Sequence, residues 1–200
     1  LENLAEGESD AHSAFDQSFL RARSRPQGPG DRGSVRVVDL FCGAGGMSIG
    51  IDEACRALGF RADHRFASDI NDEALKTYEL NFAPAELHGG AIESVLSGSL
   101  GARNTSAEKS LASRLGEIDL LVGGPPCQGH SNLNNHTRRD DPKNSLYARM
   151  ARFAEVVRPK NILIENVPGV RHDSGGVFER TLESLAKSGY RIAFGKVEAE

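Results

Sequence analysis

Residues 35–50 read Val35-Arg-Val-Val-Asp-Leu-Phe-Cys-Gly-Ala-Gly-Gly-Met-Ser-Ile-Gly50. The first seven, VRVVDLF, form a short run rich in branched apolar residues that stops at Gly43, as a buried strand does. Gly43, Gly45 and Gly46 then permit a tight turn and close approach of another molecule to the backbone before a helix begins. A strand that runs through a glycine turn into a helix opens a βαβ unit. The chain repeats the alternation: RFASD (65–69) precedes the helical stretch NDEALKTYELNF, IDLLVGG (118–124) meets two prolines, and NILIENV (161–167) meets Pro168. Leu146, Met150, Phe153, Ala154 and Val157 recur at helical spacing, as do Phe178, Leu182, Leu185 and Ala186, and both sets are expected as core faces. The expected fold class is therefore α/β, a doubly wound, mostly parallel sheet covered on both faces. A last strand is expected at about 190–198, and 97–117 reads as a loosely specified insertion carrying one helix.

Two units are expected. Residues 1–33 are poor in branched apolar residues and end in RARSRPQGPGDRG, which suits a flexible polar tail with a short helix near Ala11 to Arg23; residues 34–200 form the folded domain. The first residue is Leu1 rather than Met, which fits a processed or excised piece.

Composition narrows the class. Three cysteines, at 42, 55 and 127, are too few and too scattered for a metal cage built of thiolates, and their odd number argues against a disulfide-stapled secreted scaffold. No apolar run reaches the roughly 18 residues of a membrane span, so the cytoplasm is the expected compartment. Lys and Arg number 24 against 28 Asp and Glu, a net charge of −4 that by itself argues against a nucleic-acid binder. Residues 1–33 hold four Arg and six acids, which leaves 20 against 22 in the remainder.

Three places carry chemistry. The glycine turn suits a nucleotide-like ligand, and Asp69, 24 residues beyond Gly45, stands where a carboxylate accepts ribose hydroxyls in dinucleotide folds. Spacing does not separate NAD from S-adenosylmethionine, although Ser48 in place of a third glycine weakens the NAD reading. Next, Gly123-Gly-Pro-Pro-Cys-Gln-Gly-His-Ser131 follows a strand end, and two prolines stiffen the approach to Cys127 as a nucleophile requires. A thiol with a pKa near 8.5 is mostly protonated at neutral pH, so Cys127 needs a nearby cation or helix terminus. Cys55 reads as core and Cys42 as a residue lining the ligand pocket. Last, Glu165-Asn166 ends an apolar strand, where a carboxylate is either hydrogen-bonded structurally or poised to exchange a proton.

In this order, DLFCGAGG, GGPPCQGHS and IENV resemble motifs I, IV and VI of the DNA (cytosine-5) methyltransferase family, over about residues 35–198. The resemblance implies a Rossmann-like S-adenosylmethionine-dependent methyltransferase fold, ending before the target-recognition domain. It implies that S-adenosylmethionine lies over Phe41, Gly43, Ala44 and Gly45, with Asp69 on the ribose, Ile70 against the adenine, and Pro126 and Leu146 also touching it. Cys127 would attack C6 of a flipped cytosine while Glu165 acts at N3; Gln128, Ser131, Arg138, Arg139 and Asn166 would contact the substrate. The polar stretch 130–144 resembles the mobile loop that closes on DNA in this family. The implied partners are double-stranded DNA and the missing C-terminal half or a second chain. The setting would be the cytoplasm of a bacterium, within a restriction-modification or DNA-methylation system, with the isolated chain inactive.

Three features depart from the family pattern. Gly90-Ala91-Ile92 replaces the segment that usually offers an acid to the adenine, His130 replaces a usual Phe, and the chain stops at Glu200. Two alternatives remain: a tRNA cytosine-5 methyltransferase and a non-catalytic S-adenosylmethionine-binding module. An NAD oxidoreductase leaves Pro125-Pro126-Cys127 and Glu165 unexplained.

Overall fold

The computed structural model describes residues 30–126, 144–166 and 176–195. Within them five parallel strands alternate with helices: β1 (Ser34–Leu40), α1 (Gly46–Ala57), β2 (Arg61–Asp69), α2 (Asp72–Phe82), β3 (Leu87–Gly89), α3 (Ser106–Leu115), β4 (Leu120–Gly123), α4 (Asn144–Val157), β5 (Asn161–Ile164) and α5 (Val177–Lys187). The strand order is β3-β2-β1-β4-β5. All four pairings are parallel, as the alternation predicted. The order reverses between β1 and β4, and in open α/β sheets that reversal opens a crevice beyond the carboxyl ends of the strands.

Strand alternation sorts β1 between two layers. Val38 and Leu40 enter a core with Phe66, Leu111, Leu115, Leu121, Met150 and Phe153, which is the face covered by α3 and α4. Asp39, between them, points into the opposite layer and bonds to Ser48 of α1. The helix starts follow local chemistry. The Asn71 side chain accepts the Glu73 and Ala74 N–H groups at the start of α2, and Thr105 and Glu108 form a capping box on α3. Cys55 is buried, as expected of a core residue.

Several boundaries differ from expectation. The strand expected at 65–69 begins at Arg61, because its polar first half, Arg-Ala-Asp-His, pairs with Ser34–Val37 across a bulge between Val37 and Val38. A three-residue edge strand, β3, was too short to register as a period. Among the described side chains of α5, Thr181 and Leu185 are buried and Ala186 is exposed. Residues 190–195 form no strand; the Tyr190 hydroxyl donates to the Pro159 carbonyl, while Ile192 and Phe194 stay exposed, so no sheet neighbour holds this segment extended among the described residues. Arg32 N–H donates to the Gly59 carbonyl, and its guanidinium sits 4.9 Å from the Phe60 ring centroid, so the end of the polar tail touches the domain. The helix expected near 11–23 lies outside the described residues.

The 97–117 segment is more firmly held than its composition suggested. Arg152 of α4 is 1% exposed and Glu108 of α3 is 0% exposed; they pair through Nε–Oε1 at 2.8 Å and Nη2–Oε2 at 2.6 Å. Glu108 also accepts the Gly98 and Thr105 N–H groups, while Arg152 donates to the Ala102 carbonyl and to Glu155. The guanidinium holds the Glu108 carboxyl down at about 2, so this pairing is present above the usual carboxylate range and is lost as pH falls towards 2. Gly98 is required here, since a Cβ would stand 2.4 Å from Arg152 Nη2. Removing one partner of a buried pair strands the other charge, at a cost of about 3–5 kcal/mol, whereas an apolar pair of similar volume is close to neutral. Chemical denaturation should therefore show Arg152→Met losing about that much and the Glu108→Leu/Arg152→Met double variant recovering most of it. A loss under about 1 kcal/mol in the single variant would mean the pair is not what pins this segment.

Candidate functional site at the carboxyl edge of the sheet

Four strand ends meet at the crevice. After β1 the backbone turns sharply: Phe41 adopts φ 59°, a left-handed conformation costly for a non-glycine residue, and Gly43 and Gly45 follow at 52° and 98°. The Gly45 N–H donates to the Cys42 carbonyl and the Gly45 carbonyl accepts the Ile49 N–H, so the turn hands directly into α1. Nothing larger fits at Gly45, where a Cβ would stand 2.2 Å from Cε2 of Phe82. By contrast, a Cβ at Gly43 or Gly46 would meet open space.

Asp69, at the end of β2, holds this turn. Its Oδ2 accepts the Gly43 N–H at 2.8 Å and its Oδ1 accepts the Asn71 N–H at 2.8 Å. Each oxygen keeps a lone pair for a further donor. Ile70 next to it is 77% exposed, an apolar side chain left at the rim of the crevice. Ala91 is exposed after β3 and brings no carboxylate. Phe41 and Leu146 both pack against the core cluster on the α3/α4 side, and Ala44 is exposed at the tip of the turn.

On the other side of the reversal, β4 ends in Gly123-Gly124-Pro125-Pro126. A Cβ at Gly123 would stand 2.6 Å from the Met150 sulfur and 2.8 Å from the Leu40 carbonyl oxygen, so the strand passes where only glycine fits. The Glu165 N–H donates to the Gly123 carbonyl at 3.0 Å, which carries the β4/β5 ladder one residue further. That register sets the Glu165 carboxylate over Gly124, with Oε2 3.2 Å from where a Cβ would stand and the Met47 methyl 3.7 Å from the same point. The Asn166 side-chain amide donates to the Tyr147 hydroxyl at 3.3 Å, linking β5 to the start of α4. Pro125 is buried and Pro126 exposed. Phe41, Gly43, Ala44, Gly45, Asp69, Ile70, Pro126, Glu165 and Asn166 thus share one edge of the sheet. Cys127, Gln128, His130, Ser131, Arg138 and Arg139 lie outside the described residues.

Beneath the turn runs a buried polar chain that was not anticipated. Asp39 is 0% exposed, and burial pushes its carboxyl up to about 7 against the opposing effect of Ser48 and His64. Ser48, Tyr78, His64 and Asp52 continue from it by hydrogen bonds. A carboxylate inside Val-Val-Asp-Leu was the available signal, but its partners lie 9 and more residues away. Burial and the negative charges of Asp39 and Asp69 raise the Cys42 thiol, so Cys42 is a buried neutral wall of the turn rather than a nucleophile. Among the described residues no helix is long and apolar enough to cross a membrane.

Known proteins resemble this chain over much of its length. Over 179 residues the chain is 45% identical to the type II methyltransferase M1.BsuMI of Bacillus subtilis (strain 168), covering 90% of this chain and 42% of the relative. It is 39% identical over 142 residues to the type II methyltransferase M.AgeI of Thalassovita gelatinovora, covering 71% of this chain and 30% of the relative. The crystal structure of S. pombe Dnmt2 methyltransferase aligns with a TM-score of 0.49 and 22% identity, over 77% of this chain and 40% of the other. The chain thus spans less than half the length of these relatives. Residues 35–200 match the family described as C-5 cytosine-specific DNA methylase, which is most of the chain. The chain belongs to the C-5 cytosine-specific DNA methylase family.

Proposed function

We propose that the chain is the cofactor-binding and catalytic part of a DNA cytosine-5 methyltransferase of a restriction-modification system, which uses S-adenosylmethionine and acts on a cytosine flipped out of double-stranded DNA. The observation that carries the reading is the convergence of Asp69 with its spare lone pairs, the open space over Gly43, and the Glu165 carboxylate over Gly124 at one reversal of the sheet. The donor set suits the cofactor: backbone turn for the amino-acid end, Asp69 for ribose hydroxyls, exposed Ile70 for a flat base. Pro126 and Leu146 complete that pocket. When bound, S-adenosylmethionine supplies an electrophilic methyl group.

The chain's own residues then have separate tasks. Cytosine is a poor electrophile at C6, so attack needs a soft nucleophile and a group that offsets charge at N3. Cys127 is the nucleophile and forms the bond to C6. Glu165 holds a proton at N3 as the electrons move there. C5 becomes electron-rich and would take the methyl group, with S-adenosylhomocysteine as the leaving group; loss of the C5 proton, departure of Cys127 as thiolate and return of the N3 proton to Glu165 restore the ring. Gln128, Ser131, Arg138, Arg139 and Asn166 contact the extruded nucleotide and its phosphates. Extrusion costs a few kcal/mol, which DNA contacts offset. With −4 overall, the chain leaves most phosphate-binding charge to the target-recognition half or a second chain.

Calorimetry with S-adenosylhomocysteine is the first test. Binding to the protein, weakened about tenfold or more in Asp69→Ala, is the expected result. NADH binding in its place, displaced by NAD, would overturn the reading.

A further inference from the structure

The buried chain beneath the glycine turn has a hydrogen count that its geometry fixes. Four contacts run in a row: Asp39 Oδ2 to Ser48 Oγ at 2.8 Å, Ser48 Oγ to Tyr78 Oη at 2.8 Å, Tyr78 Oη to His64 Nδ1 at 3.2 Å, and His64 Nε2 to Asp52 Oδ1 at 2.7 Å. Each contact needs one hydrogen between its two heavy atoms. Ser48 and Tyr78 bring one each, so two more are required. With Asp52 as the acceptor from Nε2, either His64 supplies both, as imidazolium beside an ionised Asp39, or His64 supplies one at Nε2 and the Asp39 carboxyl supplies the other. With Asp52 ionised, both arrangements hold the same number of protons and the same net charge of −1. They interconvert when three hydrogens each cross their own contact, Nδ1 to Oη, Oη to Oγ and Oγ to Oδ2, with no exchange with solvent. With one hydrogen fewer, two lone pairs would face each other across a contact inside the core, an arrangement buried groups avoid.

The surroundings favour the proton at the Asp39 end. Burial opposes charge on Asp39, and Asp69 and the Cys42 thiol lie on its side of the chain. From α1 come Ser48 and Asp52, with Cys55 close to Asp52; from α2 come Tyr78 and the uncharged Phe82 ring, 4.9 Å from the His64 ring centroid. Asp39 Oδ1 is buried and has no hydrogen-bond partner among the described residues, and Asp39 lies four residues before Gly43 on the strand that feeds the turn.

We propose that Asp39, Ser48, Tyr78 and His64 hold one shared proton, and that a cationic ligand group lodged at the Gly43–Gly45 turn moves it from Asp39 to His64. Ser48, Tyr78 and His64 are then positioning residues that let Asp39 be neutral in the empty pocket and anionic beneath a bound cation. The second clause rests on the cofactor reading above; the first does not.

Carbon-13 and nitrogen-15 NMR of the full-length protein, with Asp39 and His64 labelled, tests both clauses. Without ligand, the Asp39 carboxyl and His64 ring signals should each show two titration steps with midpoints in common, the mark of one coupled pair. Tyr78→Phe should reduce each curve to a single step, and Ser48→Ala provides the same break if the first variant does not fold. Single, unrelated steps in the unmodified protein would overturn the shared proton. At a pH between the steps, S-adenosylhomocysteine, which carries an ammonium group, should move the Asp39 signal towards carboxylate and the His64 signals towards imidazolium by equal fractions. Its binding heat should be the same in buffers of different ionisation enthalpy, and Asp39→Asn should abolish the His64 response. Binding without that response would overturn the coupling, whereas absence of binding would count against the cofactor reading and leave the ligand-free titration to decide the shared proton.

Discussion

Cys127→Ala should slow methyl transfer by about 10⁴- to 10⁶-fold while leaving S-adenosylhomocysteine affinity within about twofold, because loss of a nucleophile removes the reaction path rather than the pocket. Pro125 and Pro126 fix the backbone leading to position 127, so a smaller side chain there does not reshape the approach. The second readout is covalent. DNA carrying 5-fluorocytosine has no C5 proton to lose, so a protein that bonds to C6 should be trapped on it and migrate with the DNA under denaturing conditions. Cys127→Ala should leave no trapped species. Trapping that persists in the variant would transfer the nucleophile's role to another residue.

Glu165→Gln should lower the rate constant by roughly 10²- to 10⁴-fold, the usual range for a positioned acid or base, with a smaller change in DNA affinity. The geometry makes this a sharp variant. The Glu165 N–H is already engaged with the Gly123 carbonyl, so the side chain is set by the ladder and the isosteric amide keeps its place over Gly124. In the proposed role, what it loses is the ability to exchange a proton at N3. Single-turnover measurement separates the two effects; a variant with unchanged rate and weakened DNA binding would make Glu165 a contact residue instead.

The parts of the site that a reader of the sequence could find are those where one residue type has one use. Gly43 and Gly45 take left-handed backbone, and Gly123 passes against Met150 and Leu40, so glycine there signals a close approach. Glu165 and Asp69 stand out as acids closing apolar strands. Asp69 nevertheless has a task that was not expected, because it clamps the turn through Gly43.

Other features depend on partners far away in the chain. Arg152 lies inside a helical stripe of apolar residues and looks like a solvated charge until Glu108, 44 residues earlier, is brought against it. The polar opening of β2 carries no period because its partner, the start of β1, has solvent-facing residues of its own. The segment after Tyr190 shows the reverse case: apolar residues suggested a strand, but a strand needs a hydrogen-bonded neighbour, and residues 190–195 have none in the described sheet.

In the proposed function, the crevice between β1, β4 and β5 directs a methyl group to carbon 5 of cytosine. The full-length protein is incubated with DNA and S-adenosylmethionine labelled in its methyl group, and the DNA is then digested to nucleosides and separated. Label should appear in 5-methyldeoxycytidine, be absent when transfer RNA replaces DNA and be lost in Cys127→Ala. Label on the exocyclic nitrogen of cytosine or adenine, neither of which needs attack at C6, would contradict it.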